Sequence, residues 1–365
     1  MSPEPSFLGM LHPFSPLAEG EIRLCATALR GSYPPSADIQ FKAITLYEPT
    51  KASMVSWLEG GGERPPRKGY ICYYIRNTDK FFEAVVLLRD QTNAVLESNV
   101  RIKEGSHGAA DFTEVLKVEK LVLEDDGVQA VLAKLELPEG TVVVSDPWIY
   151  GLVPNLCCLG IIIANLFRLG SDGLSDARRQ FQCFLYIQDP EGQNPDSNHY
   201  AFPLPVSPVV DVQTMTVTRI ENLPTGAGYK VSPPRPYKVP PPAEYVPECQ
   251  PSLRADLKPL QVVQPEGVSF RVSEEVSGGA VLDWQKWRFR IGFNHREGVV
   301  LYNVKYDQRS LFWRVSLSDM IIPYADPRAP YHKKAAFDLG DAVSLFVEIL
   351  VHSLSLGSWS PPLTR

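Results

Sequence analysis

The chain has 365 residues, of which 44% are hydrophobic and 21% are charged, and its formal net charge is -6. A chain of this length holds two or three domains with sizeable cores. The mild acidity and the lack of a Lys/Arg cluster argue against nucleic-acid binding, because phosphate recognition needs cations gathered on one face. The 33 prolines favour loop-rich β architecture over helix bundles.

Residues 12 to about 105 have an α+β pattern. The apolar spacing predicts a helix over Leu17–Leu29, with Glu19 and Glu21 in its first turn, and a short helix over Lys51–Leu58. Strand-like runs complete this segment, and the last three predict an antiparallel meander: Ile39–Leu46, Tyr70–Ile75, Phe82–Leu88 and Ala94–Ile102.

From about residue 111 to 222 the same order of helices and then strands returns. Two helices are predicted, Phe112–Leu123 and Val128–Leu135, separated by Asp125-Asp126-Gly127. The predicted strands are Thr141–Val144, Gln180–Ile187 and Val209–Ile220. The repeated order predicts a duplicated architecture.

Prolines are dense between Leu223 and Ser252, which predicts an extended spacer that wraps an adjacent domain rather than an SH3-type ligand. From Val262 onward short strands predict the opening of a β-sandwich. These strands are Phe270–Val272, Trp287–Phe293, Val299–Tyr306 and Leu311–Ser316. A sandwich with only these strands leaves a long unpaired edge.

Leu152–Gly170 is the most apolar window of the chain, and it has three interpretations: a membrane span, a buried helix or strand, or an insert foreign to the fold. Pro154 and Arg168 leave its uninterrupted apolar core short of the roughly 20 residues that a span needs. Without this window, Asp146–Gly151 would join Ser171-Asp172-Gly173 in one polar turn between two strands.

The residues that bear on metal and thiol chemistry are dispersed. The six histidines form no H-x-H and no H-E-x-x-H, so no metal site from closely spaced ligands is expected. The six cysteines never form C-x-x-C, and the first ten residues have neither a basic nor an apolar signal region. Together these features predict free thiols in a reducing compartment.

Asp338 lies among apolar residues in Ala335–Gly340. Such surroundings disfavour the charged carboxylate and raise its pKa, as a general base near neutral pH requires. The ordinary alternative is an aspartate at a turn or strand end. Tyr324, after Pro323, has an equally ordinary alternative as a packed aromatic.

Three runs resemble the copper- and topaquinone-dependent primary-amine oxidases, especially the fungal members. They are W-R-F-R-I-G-F-N-H-R-E-G-V-V-L-Y-N-V, R-V-S-L-S-D-M-I-I-P-Y-A-D-P and A-F-D-L-G-D, between residues 287 and 341. The shorter runs H-P-F-S-P-L and F-K-A-I-T-L-Y-E-P resemble the second domain of that family, and D-P-W with R-R-Q resembles its third. The resemblance covers about residues 12–151 and 171–342.

The resemblance implies an α+β fold, in which two small α+β N-terminal domains precede the truncated start of a large antiparallel β-sandwich catalytic domain. The expected boundaries are a lead at 1–11, the N2 domain at 12–107 and the N3 domain at 108–224 with an insert at 152–170. A proline-rich linker at 225–252, a partial catalytic domain at 253–342 and a non-family tail at 343–365 follow.

The resemblance also implies an activity and three site residues. The family oxidises primary amines with O2 and water to aldehyde, ammonia and hydrogen peroxide, as a homodimer with copper and topaquinone. Its F-D-x-G motif assigns Asp338 as the proton acceptor. Its V/I-P-Y motif assigns Tyr324 as the hydrogen-bond partner of the quinone, and Ala336 matches a position that faces the substrate channel.

The sequence departs from the family in the motifs that supply the quinone and the copper ligands, and in the residues that follow the base. The family forms its quinone from the tyrosine of an Asn-Tyr-Asp/Glu motif and binds copper through a His-x-His pair and a third histidine. All of these lie C-terminal to the base, whereas here Lys305 precedes Tyr306-Asp307, and Gly340-Asp341-Ala342-Val343 replaces the family's G-D/E-x-G. The quinone precursor and the copper ligands are therefore expected to be missing from this chain.

The resulting expectation is an inactive, truncated amine oxidase in the cytoplasm or the peroxisome. The alternatives are a non-catalytic fragment that acts as a binding or dimerisation module and, more weakly, membrane association through residues 152–170. The two stretches that do not fit, 152–170 and 343–365, match what unspliced introns would encode.

Overall fold

A computed structural model describes residues 11–76, 78, 80–102, 108, 110, 112–150, 179–188, 197–224, 228–231, 236–258, 260–274, 279–294, 297–317, 321–323, 326, 328–331 and 335–337. Antiparallel sheets dominate these residues. They form a first unit (residues 11–102), a second unit (residues 112–222) and a five-stranded C-terminal sheet (residues 271–316).

The first unit is one helix packed on a four-stranded meander, with a second short helix between its strands. The helices are α1 (Glu19–Arg30) and α2 (Lys51–Leu58), and the strands are β1 (Ile39–Leu46), β2 (Lys68–Ile75), β3 (Phe81–Leu88) and β4 (Ala94–Arg101). The strands pair in chain order. Cys25 and Leu29 of α1 are fully buried against the sheet. The predicted helices and meander are confirmed, with boundaries that differ by one or two residues.

The buried side chain of Arg67 binds residues 12–16 to the rest of the first unit. Arg67 donates from Nε and Nη2 to the two carboxylate oxygens of Glu21, at 2.6 and 2.7 Å. It also donates to the backbone carbonyls of His12, Ser15 and Pro16. These bonds satisfy the guanidinium, which is the condition for burying an ion pair without a large penalty.

The second unit repeats the four-stranded meander and packs two helices on one face. The helices are α3 (Phe112–Glu124) and α4 (Asp126–Ala133), and the strands are β5 (Val143–Ile149), β6 (Gln180–Ile187), β7 (Val206–Asp211) and β8 (Thr216–Asn222). Asp125 separates the helices because its side chain accepts a hydrogen bond from the backbone N–H of Val128 at 2.9 Å, which is an N-cap.

Two strand predictions in this unit are wrong. Val209–Ile220 is not one strand but the hairpin of β7 and β8, because Asp211 accepts from the N–H groups of Gln213 and Thr214 and closes a turn. The polar turn predicted from Asp146 is instead the second half of β5. That strand lies at the edge of the sheet, where Pro147 removes no ladder hydrogen bond.

The C-terminal sheet runs in the order β13-β12-β11-β10-β9. Its strands are β9 (Arg271–Glu274), β10 (Ala280–Trp284), β11 (Trp287–Asn294), β12 (Gly298–Tyr306) and β13 (Arg309–Ser316). The strand β10 is not among the strands predicted from the sequence. A separate two-stranded ladder pairs β14 (Ile321–Pro323) with β15 (Ala335–Phe337). The α+β class with antiparallel sheets is confirmed.

The proline-rich segment wraps the second unit, as predicted. Tyr237 donates its N–H to the carbonyl of Leu135, and its ring and Val239 pack on the core of that unit. Glu244 accepts from the hydroxyl of Ser197 at 2.7 Å and from the N–H of Asn198 at 3.0 Å.

The predictions for residues 152–170 and 343–365 concern segments outside the described residues. No helix in the described part of the chain is long and apolar enough to cross a membrane. Among the described residues, Cys25, Cys72, Cys183 and Cys249 form no disulfide bond.

Candidate active site

The ladder of β14 and β15 brings together the two segments that carry the predicted site residues. Ile321 pairs with Phe337, Ile322 with Ala336, and Pro323 with Ala335. The backbone of Ala336 therefore lies at the centre of the ladder, opposite Ile322. Tyr324 and Asp338 follow the two strands directly and lie outside the described residues, so their roles stay predictions.

An ion pair organises the connection between these strands. Arg328 donates from Nη2 and Nε to the carboxylate of Asp326, with the Nη2–Oδ2 pair at 2.6 Å, and its backbone N–H donates to Oδ1 at 3.0 Å. The hydrogen bonds from the Arg328 side chain lower the pKa of Asp326 to about 2. The guanidinium also lies 5.1 Å from the centre of the Tyr331 ring, a cation–π distance.

Tyr331 attaches this connection to the second unit. Its ring stacks on Phe184 of β6, with centroids 5.9 Å apart and planes 8° apart. Phe184, Tyr186 and Leu223 form a small buried cluster with Tyr331 on the face of the sheet opposite the helices. All eight residues of β6 are buried because the sheet is covered on both faces. Its continuous apolar run was the sequence signal for such a strand.

A second interface joins the first unit to the C-terminal sheet through Glu48. The carboxylate accepts from the hydroxyl of Tyr302 at 2.7 Å and from Nε of Arg314 at 2.8 Å. Arg314 also donates to Glu297 and to the hydroxyl of Ser316. The hydrogen bond to Glu48 raises the pKa of Arg314, and burial followed by the same partner raises that of Tyr302.

Aromatic packing completes this interface. Phe14 stacks on Tyr302 with centroids 4.4 Å apart and planes 9° apart, and meets Trp313 edge-on at 5.7 Å. Gly292 of β11 leaves room for the Tyr302 ring, since a Cβ there would lie 2.7 Å from Cε2. The short runs that contain Phe14 and Glu48 therefore form the contact between two sheets. The sequence alone does not reveal this contact, since the two runs are far apart along the chain from Tyr302 and Trp313.

A third interface joins the first unit to the second. Glu114 of α3 accepts from Lys42 of β1 at 2.8 Å and from Nη2 of Arg179 at 2.6 Å. The three side chains are only 3–7% exposed. Burial alone would raise the pKa of Glu114, but attraction to Arg179 and Lys42 outweighs it and lowers the pKa to about 2. Glu114 is thus ionised and central to the contact.

The described residues hold no group that fits copper. Among the ranges that the structure describes, no three His, Cys, Asp or Glu side chains lie close enough together to bind a metal ion.

Comparisons with known proteins agree with this architecture. A family model described as "Copper amine oxidase, N2 domain" matches residues 12–99, and one described as "Copper amine oxidase, enzyme domain" matches residues 275–357. The second match runs past residue 342, where we expected the resemblance to end.

The alignments with individual relatives extend over nearly the whole chain. Copper amine oxidase 1 of Aspergillus niger is 36% identical over 347 residues, which are 90% of this chain and 48% of the relative. The peroxisomal primary amine oxidase of Pichia angusta is 30% identical and covers 92% of this chain and 44% of its own length. The crystal structure of a copper-containing benzylamine oxidase from Hansenula polymorpha superposes with a TM-score of 0.76 at 32% identity, over 91% of this chain and 48% of the other. The chain thus spans about half the length of the relatives it matches.

Proposed function

Because the chain belongs to the copper amine oxidase family, we propose that it carries part of the machinery of a copper- and topaquinone-dependent primary-amine oxidase. The observation that carries this proposal is the joint match of the N2 and enzyme domains, together with the ladder that contains Ala336. The substrates are a primary amine and O2, and the complete enzyme is a homodimer. The name of the Pichia angusta relative supports a peroxisomal location.

In this proposal Asp338 accepts the proton that leaves the α-carbon of the amine. Asp338 directly follows Phe337, the last residue of β15, and Tyr324 directly follows Pro323, the last residue of β14. The pairing of these two strands supports a site to which both segments contribute.

The chemistry divides between the cofactors and the chain. Copper and topaquinone, when bound, supply the oxidation of the amine and the transfer of electrons to oxygen. The chain orients the substrate and removes a proton from it. The proposed role needs an Asp338 carboxyl whose pKa is raised towards neutral pH, where a general base works best.

We further propose that this polypeptide alone does not turn over amines. The sequence contains no Asn-Tyr-Asp/Glu motif from which the family forms its quinone, and no His-x-His pair. The test is to express the chain, load it with copper under air, and apply a redox-cycling quinone stain and a peroxide assay with benzylamine and methylamine. We expect neither signal, and a positive stain would overturn this proposal.

A further inference from the structure

The two-stranded ladder of β14 and β15 is too small to hold its position in the molecule by itself. It contains three residue pairs, and neither strand pairs with another strand in the part of the chain that the structure describes. A two-stranded hairpin without further packing is marginally stable in water. The position of this ladder must therefore be fixed by contacts outside it.

The connection between the two strands makes such contacts with the second unit. Pro330 is buried and Tyr331 is half-buried in this connection. The ring of Tyr331 stacks on Phe184 of β6, a strand whose eight residues are all buried. Because β6 pairs with β5 on one side and β7 on the other, Phe184 offers the ring a firmly held partner. The connection is thus attached to the interior of the second unit.

Contacts within the connection restrict it further. Both oxygens of the Asp326 carboxylate accept hydrogen bonds from the side chain of Arg328, and Oδ1 also accepts from its backbone N–H. The guanidinium of Arg328 in turn lies 5.1 Å from the centre of the Tyr331 ring. Since these side chains contact one another in series, a displacement of the Tyr331 ring would be transmitted along the connection towards the ladder.

We propose that Tyr331 is a positioning residue of the active site, because its stacking on Phe184 makes the second unit hold the ladder of β14 and β15 in place. This inference rests on the proposed function, in which Asp338 and Tyr324, the residues that directly follow the two strands, act on the amine and the quinone. A general base must stay within hydrogen-bonding reach of the proton that it accepts. A displacement of about 1 Å can lower a rate about a hundredfold.

Amide hydrogen exchange of the full chain, followed by mass spectrometry of its peptides, tests the attachment. Tyr331→Ala removes the stacked ring, so peptides that cover Ile321–Pro323 and Ala335–Phe337 should exchange faster by a factor of about ten or more. A peptide from β2 should exchange as before, which shows that the first unit remains folded. Tyr331→Phe keeps the ring and should match the original chain. The matched control is Tyr245→Ala, since Tyr245 is 68% exposed in the proline-rich segment.

The titration of Asp338 tests whether the attachment affects the base. In a chain with carbon-13 in its aspartate carboxyl groups, the NMR signal of Asp338 is the one that is missing from Asp338→Asn. The midpoint of its titration should lie at lower pH in Tyr331→Ala than in the original chain, because a carboxyl group that loses its fixed position gains contact with water. Tyr331→Phe should leave the midpoint unchanged.

The outcomes distinguish this inference from the proposed function. Unchanged exchange of the ladder in Tyr331→Ala overturns the inference, and so does an equal acceleration in β2, which would show a general loss of stability. A raised midpoint of Asp338 that stays the same in Tyr331→Ala also overturns it. An ordinary midpoint in the original chain would instead contradict the proposed role of Asp338, and the exchange data would still decide whether Tyr331 holds the ladder.

Discussion

Replacing Glu114 with glutamine should strongly destabilise the contact between the first and second units. Glutamine keeps the size and shape of the side chain but removes its negative charge. Lys42 and Arg179 would then remain buried without the carboxylate that now lies between them. Breaking a buried ion pair by removing one partner costs about 3–5 kcal/mol for this reason.

The lowered pKa of Glu114 gives a second value for the free energy that these ion pairs contribute to folding. It falls from an ordinary 4.5 to about 2 in the folded protein. At about 1.4 kcal/mol for each tenfold change in proton affinity, this fall corresponds to roughly 3 kcal/mol of stability at neutral pH. Because the folded-state pKa is lowered, the stabilisation is complete above about pH 4.5 and disappears as the pH falls towards 2.

The assay is urea unfolding followed by circular dichroism, at a series of pH values from 7 to 3. Glu114→Gln should lose about 3 kcal/mol at pH 7, and the difference from the original protein should shrink below pH 4.5. The matched control is Glu124→Gln at the end of the same helix, where the carboxylate is 67% exposed and 3.8 Å from Lys120. That variant should change stability by less than about 0.5 kcal/mol. A loss below about 1 kcal/mol for Glu114→Gln, or a difference that does not vary with pH, would refute the reasoning.

Three further predictions concern other parts of the chain. Gly292→Ala should lower the midpoint of thermal unfolding, at a cost of about 1–3 kcal/mol, because its Cβ would lie 2.7 Å from the stacked ring of Tyr302. Cys25 and Cys183 should resist a thiol-labelling reagent at pH 8 until urea is added, because burial raises the pKa of both thiols, that of Cys25 to about 12. In a full-length form that supplies the rest of the enzyme domain, Asp338→Asn should abolish peroxide release from amines and leave quinone formation intact, since an amide cannot accept the proton.

Each of these predictions has its own control. For Gly292→Ala the control is Gly20→Ala in α1, where the added Cβ has no neighbouring atom within 4 Å. Because alanine favours a helix, that variant should be at least as stable as the original protein. The half-buried Cys72 provides the comparison for thiol labelling, and labelling of Cys25 as fast as Cys72 would contradict the burial argument. Oxidase activity retained by Asp338→Asn would contradict the assignment of Asp338 as the proton acceptor.

Local signals in the sequence were enough to place most elements. The helix α2 begins and ends where it was predicted, because Thr50 caps it by accepting a hydrogen bond from the N–H of Ser53. Asp125 likewise separates α3 from α4. The hairpin of β7 and β8 was missed because the apolar pattern runs through its turn, and only the side chain of Asp211 signals the reversal.

The contacts between units could not be predicted, because the partners are far apart along the chain. Glu114 has the sequence signature of an acidic residue in the first exposed turn of a helix, yet its partners are 72 and 65 residues away. Glu48 and Arg314 are 266 residues apart. The predicted roles of Asp338 and Tyr324 came from the family resemblance, since the residues alone equally suggest a turn and a packed aromatic.

The order of strands in the three larger sheets bears on how a newly made chain folds. Every pair of hydrogen-bonded neighbours in them is also consecutive in sequence. Strands that are consecutive along the chain can pair before later segments exist, and domains usually fold as they leave the ribosome. The first and second units can therefore complete their sheets during synthesis, whereas the bonds between Glu48 and Arg314 must wait for the C-terminal sheet. The surface of the first unit that carries Phe14 and Glu48 therefore stays uncovered until the last third of the chain has been synthesised.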